Sequence, residues 1–103
     1  MICLGIESTA HTLGIGIIND KGELLSNKKH TLETEKGGIH PIKAAQAHEL
    51  FYDSLIRSAL KESKLTMNEI DLISFSQGPG LGQCLRRGAV IARSLSLLYN
   101  IPA

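Results

Sequence analysis

The sequence predicts an α/β domain on a mixed sheet, with elements in the order β-β-β-α-β-α. Three observations carry that expectation. Short apolar runs of strand length open the chain, two long stretches with apolar residues at helical spacing follow, and a short apolar run separates those stretches. A meander followed by strand, helix and strand in the βαβ manner puts antiparallel and parallel pairs into one sheet.

The first strand is Ile2-Cys3-Leu4-Gly5-Ile6, broken by the polar, hydroxyl-rich Glu7-Ser8-Thr9-Ala10-His11-Thr12. Leu13 to Ile18 resumes as a second strand. Asn19-Asp20-Lys21-Gly22 is a turn, with Gly22 free to take positive φ, and a third strand runs from Glu23 through Asn27 and beyond. Thr31 to Ile39 reads as a loop carrying Gly37-Gly38. Pro41 suits a first helical turn, where its missing N–H costs nothing. Ala44, Ala45, His48, Phe51, Tyr52, Leu55, Ile56, Ala59 and Leu60 then recur at helical spacing, predicting a helix from Pro41 to Ser63. Thr66-Met67-Asn68-Glu69 has capping-box spacing, so a brief helical turn is expected there. Leu72-Ile73-Ser74-Phe75 is a strand, Gly78 to Gly82 a glycine-rich turn, and Gln83 to Tyr99 a second helix closed by a left-handed Asn100. Another strand is expected to begin at Ile101-Pro102-Ala103.

A length of 103 residues suits one core and not two. A formal net charge of +1 advertises neither a nucleic acid nor an acidic membrane surface, and no apolar stretch approaches membrane-spanning length. Met1 leads directly into the first strand with no basic segment or cleavage site, which points away from export. Cys3 and Cys84 lack C-x-x-C spacing and sit beside apolar residues, so both read as small buried hydrophobes in a reducing, cytoplasmic compartment.

The second helix is apolar nearly all round, since Leu85, Val90, Ile91, Leu95, Leu97 and Leu98 cannot all face one sheet. Gly88, Ala92 and Ser96 form a small-residue strip that would admit another helix. Either a partner covers the second apolar face, or the first long helix does so within the domain.

Two turns carry chemical interest. Backbone N–H groups and hydroxyls of Glu7-Ser8-Thr9 can cradle phosphate oxygens, and the carboxylate can position a metal or water. Gly78-Pro79-Gly80-Leu81-Gly82 lets a ligand approach the backbone at a helix N-terminus, although it is neither a P-loop nor a dinucleotide fingerprint. Each can equally be a plain connecting turn. His40 and His48 are eight apart, too far for an i, i+4 metal pair. His48 reads as a partly buried core histidine, His11 as ligand-facing and His30 as a solvated strand-end residue. Arg86, Arg87 and Arg93 read as a solvated face, with Arg86 and Arg87 near the glycine-rich turn. No catalytic triad, nucleophile elbow or acid/base carboxylate pair can be placed.

The opening strand running into Glu-Ser-Thr-Ala-His-Thr-Leu-Gly-Ile-Gly-Ile, the segment Gly37-Gly38-Ile39-His40-Pro41, and Phe-Ser-Gln-Gly-Pro-Gly-Leu-Gly from Phe75 to Gly82 closely resemble the archaeal and eukaryotic tRNA threonylcarbamoyladenosine transferases. That family, formerly labelled O-sialoglycoprotein endopeptidase, is the catalytic subunit of the KEOPS complex. The resemblance spans the chain and implies the N-terminal subdomain of an actin-like, sugar-kinase-like (ASKHA) fold. Residues 1–103 would then be an N-terminal lobe, inactive alone, with the metal-binding and C-terminal parts lying elsewhere.

The implied reaction transfers threonylcarbamoyl from its adenylate to the adenosine beside the tRNA anticodon. The implied cofactor is iron or zinc, held by a His-x-x-x-His motif beyond this chain; no catalytic residue and no metal ligand is expected within it. Glu7, Ser8, Thr9 and His11, with Gly78, Pro79 and Gly80, are the nucleotide-cleft candidates. The implied partners are the small, dimer-forming KEOPS subunit, docked on Phe51, Leu55, Leu95 and Leu98, and, for the full-length protein, the kinase-like KEOPS subunit and tRNA. The sequence departs from many relatives at Ser8, Ala47-His48 and Gln83. Two alternatives are a lobe of an ATP-dependent small-molecule kinase of the same fold and a non-enzymatic interaction domain.

Overall fold

A computed structural model describes residues 1–9, 12–31 and 41–103. Three strands, β1 (Ile2–Glu7), β2 (Thr12–Asn19) and β3 (Leu24–Thr31), precede α1 (Pro41–Ser63). A 3₁₀ turn (Met67–Glu69), β4 (Leu72–Phe75) and α2 (Gly82–Tyr99) follow. The sheet order is β3-β2-β1-β4, antiparallel except for the β1–β4 pair.

Period-two alternation in β1 and β2 determines which way the sheet faces. Leu4 pairs with Ile17 and Ile6 with Ile15, while Ile73 of β4 lies beside Leu4. All five side chains are buried on one face. Over that face α1 lies on β2 and β3, α2 lies on β4 and β1, and the two helices touch each other. Each fully buried Leu or Ile contributes roughly 1.5–3 kcal/mol, so this row dominates the stability of the lobe. A smaller cluster of Ala44, Ala45 and Cys84 joins the beginnings of the two helices.

Local chemistry accounts for the connections. Gly22 takes φ +77°, and the Asn19 side-chain carbonyl accepts from the Lys21 and Glu23 N–H groups at 3.0 Å each, closing the β2–β3 turn. The Glu69 carboxylate accepts from the Thr66 N–H at 3.1 Å, the expected reach of a capping-box glutamate. Asn100 is left-handed at φ 55°, and Ile101 N–H returns to Ser96 O at 3.0 Å to end α2. Beyond it, Pro102 O accepts from Ile73 N–H at 2.9 Å, so the last residues begin to line the outer edge of β4.

Three expectations are corrected. His30 is not a solvated strand end: its ring stacks on Phe51 of α1, centroids 3.8 Å apart, because α1 lies directly over β3. The strip Gly88, Ala92 and Ser96 is not left open for an outside helix but is taken up within the chain. Ala92 is buried in the core, Ser96 donates its hydroxyl to Ile101 O, and Gly88 faces Ser8. Cys3 is only half-buried, on the opposite face of the sheet, with Sγ 3.7 Å from Ser74 Oγ; Cys84 alone is a core thiol. Helix α1 covers only part of the second apolar face of α2, leaving Val90, Leu97 and Leu98 exposed at 60%, 85% and 74%.

Candidate functional site

The uncovered face of the sheet ends in a hollow lined by Gly5, Glu7, Gly14, Lys29, Phe75 and Ser76, among others. Pairing builds it. Glu7 lies opposite Gly14, and Gly14 opposite Lys29, so an acid and a base flank a residue with no side chain. A Cβ on Gly14 would stand 3.3 Å from Glu7 Oε2 and 3.9 Å from Lys29 Cγ. The exposed Glu7 carboxylate is held from its own turn, since Thr9 Oγ1 donates to Glu7 Oε1 at 2.9 Å.

The two sequence-predicted turns meet here. Leu81 N–H donates to Thr9 O at 2.6 Å, joining the β1–β2 turn to the start of α2. Gly80 passes so close to that turn that a Cβ there would stand 2.5 Å from Thr9 O and 2.9 Å from Thr9 Cα. A glycine is required at this crossing of two backbones. Ser8 N–H donates to Ser76 Oγ at 3.1 Å, and Ser76 N–H to Ile6 O at 3.0 Å, tying the turn to the end of β4. Gly78, Pro79 and Gly80 are exposed, and the Gly78–Pro79 peptide is cis. The first N–H groups of α2 open beside them, near the exposed Arg86, whose guanidinium nitrogens lie 3.7 and 3.9 Å from the Cβ position of Gly82. A helix N-terminus with an adjacent guanidinium favours an anion.

Of the cleft candidates, Glu7, Thr9, Gly78, Pro79 and Gly80 gather at this end of the sheet, while Ser8 turns inward and is completely buried. His11, Gly37, Gly38 and His40 lie outside the described residues. Ser76 and Lys29 escaped sequence reasoning, and Gly88 entered it only as part of a small-residue strip. Ser76 stands just after the fourth strand, a place where a hydroxyl can tie a turn. Lys29 became relevant only through the register of β3. Among the described residues no three His, Cys, Asp or Glu side chains converge as a metal site requires. His48 is fully buried in α1, and desolvation by burial pushes the Cys84 thiol above the usual range, suiting it to packing rather than reactivity.

The partner candidates divide. Phe51 is engaged with His30, Leu55 and Leu95 are partly buried against the core, and Leu98 is exposed. Leu95 and Leu98, with Tyr52, Arg87, Val90, Ile91 and Ser94, line a groove of 210 Å³ between the helices. Neither helix is long and apolar enough to cross a membrane, among the described residues.

A mixed sheet with both helices on one face and glycine- and hydroxyl-bearing turns at one end defines an α/β fold. The fold is similar to that of YeaZ from Pseudomonas aeruginosa, with TM-score 0.76 at 14% identity, covering 100% of this chain and 44% of that one. Residues 23–103 match the family model described as TsaD, tRNA N6-adenosine threonylcarbamoyltransferase. The chain is 56% identical to the tRNA N6-adenosine threonylcarbamoyltransferase of Thermococcus kodakarensis, over 99% of its own length and 31% of the relative's. It is 48% identical to the protein of that name from Ignicoccus hospitalis, with the same coverage. The chain belongs to the tRNA N6-adenosine threonylcarbamoyltransferase family, and it spans about 31% of the length of these relatives.

Proposed function

We propose that this chain is the N-terminal lobe of an enzyme that transfers threonylcarbamoyl from threonylcarbamoyl-adenylate to the adenosine beside the tRNA anticodon. The observation that carries the reading is the junction of the Glu7–Thr9 and Gly78–Gly80 turns beside a helix N-terminus, in a member of this family. The lobe supplies one wall of a nucleotide cleft. The N–H groups at the start of α2, with Arg86, receive phosphate oxygens, and Glu7, oriented by Thr9, holds a hydroxyl or a bound water. Iron or zinc belongs to the reading of the whole enzyme. The described residues do not fit it, for they offer no ligand cluster, so the lobe's part is binding and orientation. The compartment is the cytoplasm.

The test is threonine-dependent modification of tRNA by the enzyme carrying this chain, with Glu7→Gln compared with Glu69→Gln on the remote 3₁₀ turn. The expected result is a loss of about tenfold or more in kcat/KM for Glu7→Gln only, the size of one charge-assisted contact. Equal turnover in the two variants overturns the cleft assignment.

The same reading gives the lobe its partner. The exposed Val90, Leu97 and Leu98 beside the α1–α2 groove support docking of the small, dimer-forming KEOPS subunit, within an assembly that also holds the kinase-like subunit. Light scattering after gel filtration, with and without the small subunit, tests it. A stable complex lost on Leu98→Asp is expected; a chain that ignores the subunit ends the docking reading.

A further inference from the structure

On the inner side of the β1–β2 turn the backbone is tied by hydrogen bonds, but the Ser8 side chain is held by shape. Ser8 is completely buried, yet its Oγ has no hydrogen-bond partner among the described residues. What it meets is Gly88 of α2. A Cβ at position 88 would overlap Ser8 Oγ and stand 3.1 Å from Ser8 Cβ, and among the described residues outside α2 no other atom would lie within 4 Å of it. Glycine inside a helix is disfavoured against alanine, because it orders more backbone freedom and covers less of the chain. Its place at residue 88, in the middle of α2, therefore follows from what it must accommodate.

Position 88 is mechanically linked to the cleft. It lies six residues after Gly82, roughly 9 Å along a rigid helix at ~1.5 Å per residue. The helix begins where Leu81 N–H bonds Thr9 O and Gly80 crosses the same residue. Ser8 thus touches α2 through its side chain while its neighbour Thr9 touches the entry to α2 through its backbone. Close packing leaves no slack between these two contacts. A methyl group at residue 88 displaces the Ser8 hydroxyl and presses on Ser8 Cβ, and a shift of either α2 or the Ser8 turn bears on the crossing at Gly80 and Leu81.

We infer that Gly88 and Ser8 form a size-matched pair that seats the glycine-rich turn against the Glu7–Thr9 turn, making Gly88 a positioning residue for the nucleotide cleft. Its link to ligand binding rests on the cleft reading above; the coupling itself does not. Gly88→Ala places a methyl group where the Ser8 hydroxyl sits, and Ser8→Gly removes that obstacle and no other.

The experiment is a double-mutant cycle on the enzyme carrying this chain, with Gly88→Ala, Ser8→Gly and the pair. The readouts are hydrogen exchange at the Leu81 amide and affinity for ATP as the probe nucleotide. Gly88→Ala is expected to speed Leu81 exchange and weaken ATP binding by about tenfold, within the usual range for residues in contact. Adding Ser8→Gly is expected to return both close to the values of Ser8→Gly alone. A double variant no better than Gly88→Ala, or unchanged Leu81 exchange in Gly88→Ala, overturns the inference. If Gly88→Ala does not fold, a folded double variant shows the coupling directly, and an unfolded one refutes it. If the unsubstituted enzyme binds no ATP, the cleft reading falls, and the exchange cycle alone decides the pair.

Discussion

The covered and uncovered faces of the sheet are made by the same strands, one residue out of phase, and their contents are opposite. Beneath the helices stand Leu4, Ile6, Leu13, Ile15, Ile17 and Ile73, every one buried. On the other side stand Cys3, Gly5, Glu7, Gly14, Gly16 and Ser74, half of them glycine and the others small or polar, with the apolar Ile18 and Leu72 beside Cys3 at the far end. A face of branched apolar residues can only be a core, since its exposure would forfeit most of the free energy of folding. A face with three glycines contributes little to stability and leaves the backbone within reach of whatever approaches. Stability and backbone exposure are therefore divided by the pleat, and a one-residue slip would exchange them.

The comparison predicts unequal responses to small substitutions. The largest belongs to the covered face. Ile15→Ala, at the centre of β2, should lose about 2–5 kcal/mol in urea unfolding at neutral pH; a loss below about 1 kcal/mol would mean that the buried row is not where stability resides.

Cys84, also on the covered side, should reveal itself through pH. Burial raises its folded thiol pKa above that of the unfolded chain, whose thiols ionise near pH ~8.5. The stabilisation from keeping the thiol neutral is complete below that value and is lost as pH rises through the raised folded pKa. The free energy of unfolding between pH 8 and 10 should therefore fall more steeply for the unsubstituted chain than for Cys84→Ala, by at most about 1.4 kcal/mol per pH unit. Parallel curves would show that Cys84 does not resist ionisation.

The smallest effect, and one of opposite sign, belongs to the uncovered face. A Cβ on Gly16 would find only Ser26 O, at an ordinary 3.9 Å. Gly16→Ala should stabilise the lobe by about 0.4–1 kcal/mol by restricting the unfolded chain. Destabilisation would show that this face is more tightly filled than the strand geometry implies.

Much of this architecture was legible in the residues because its signals are local. Apolar spacing from Ala44 to Leu60 marked α1, and its bounds Pro41–Ser63 are those found. Gly22 at φ +77° and Asn100 at φ 55° sit where turn and cap chemistry placed them. The glycine-rich turn and the Glu7–Thr9 turn were both recognisable as candidates, yet nothing local brings residue 9 beside residue 80. Misreadings fell where partners are distant in the chain. His30 was given to solvent because its partner Phe51 stands on a helix that packs over β3. The strip at Gly88 reads as room for another helix because its true neighbour, Ser8, lies eighty residues away by number.

By itself, then, the sequence determined the elements, their order, the apolar side of each strand, the glycine-bearing turns and the family resemblance. These follow from side-chain period, turn conformation and motif, each readable within a few residues. Only the tertiary structure decided that Glu7 and Lys29 flank Gly14, that Thr9 O receives Leu81 N–H, and that Ser8 rests on Gly88. Those are contacts between segments that share no local signal. They arise because strand pairing and helix docking bury the apolar face first, and whatever stands at the strand ends is carried into contact with it.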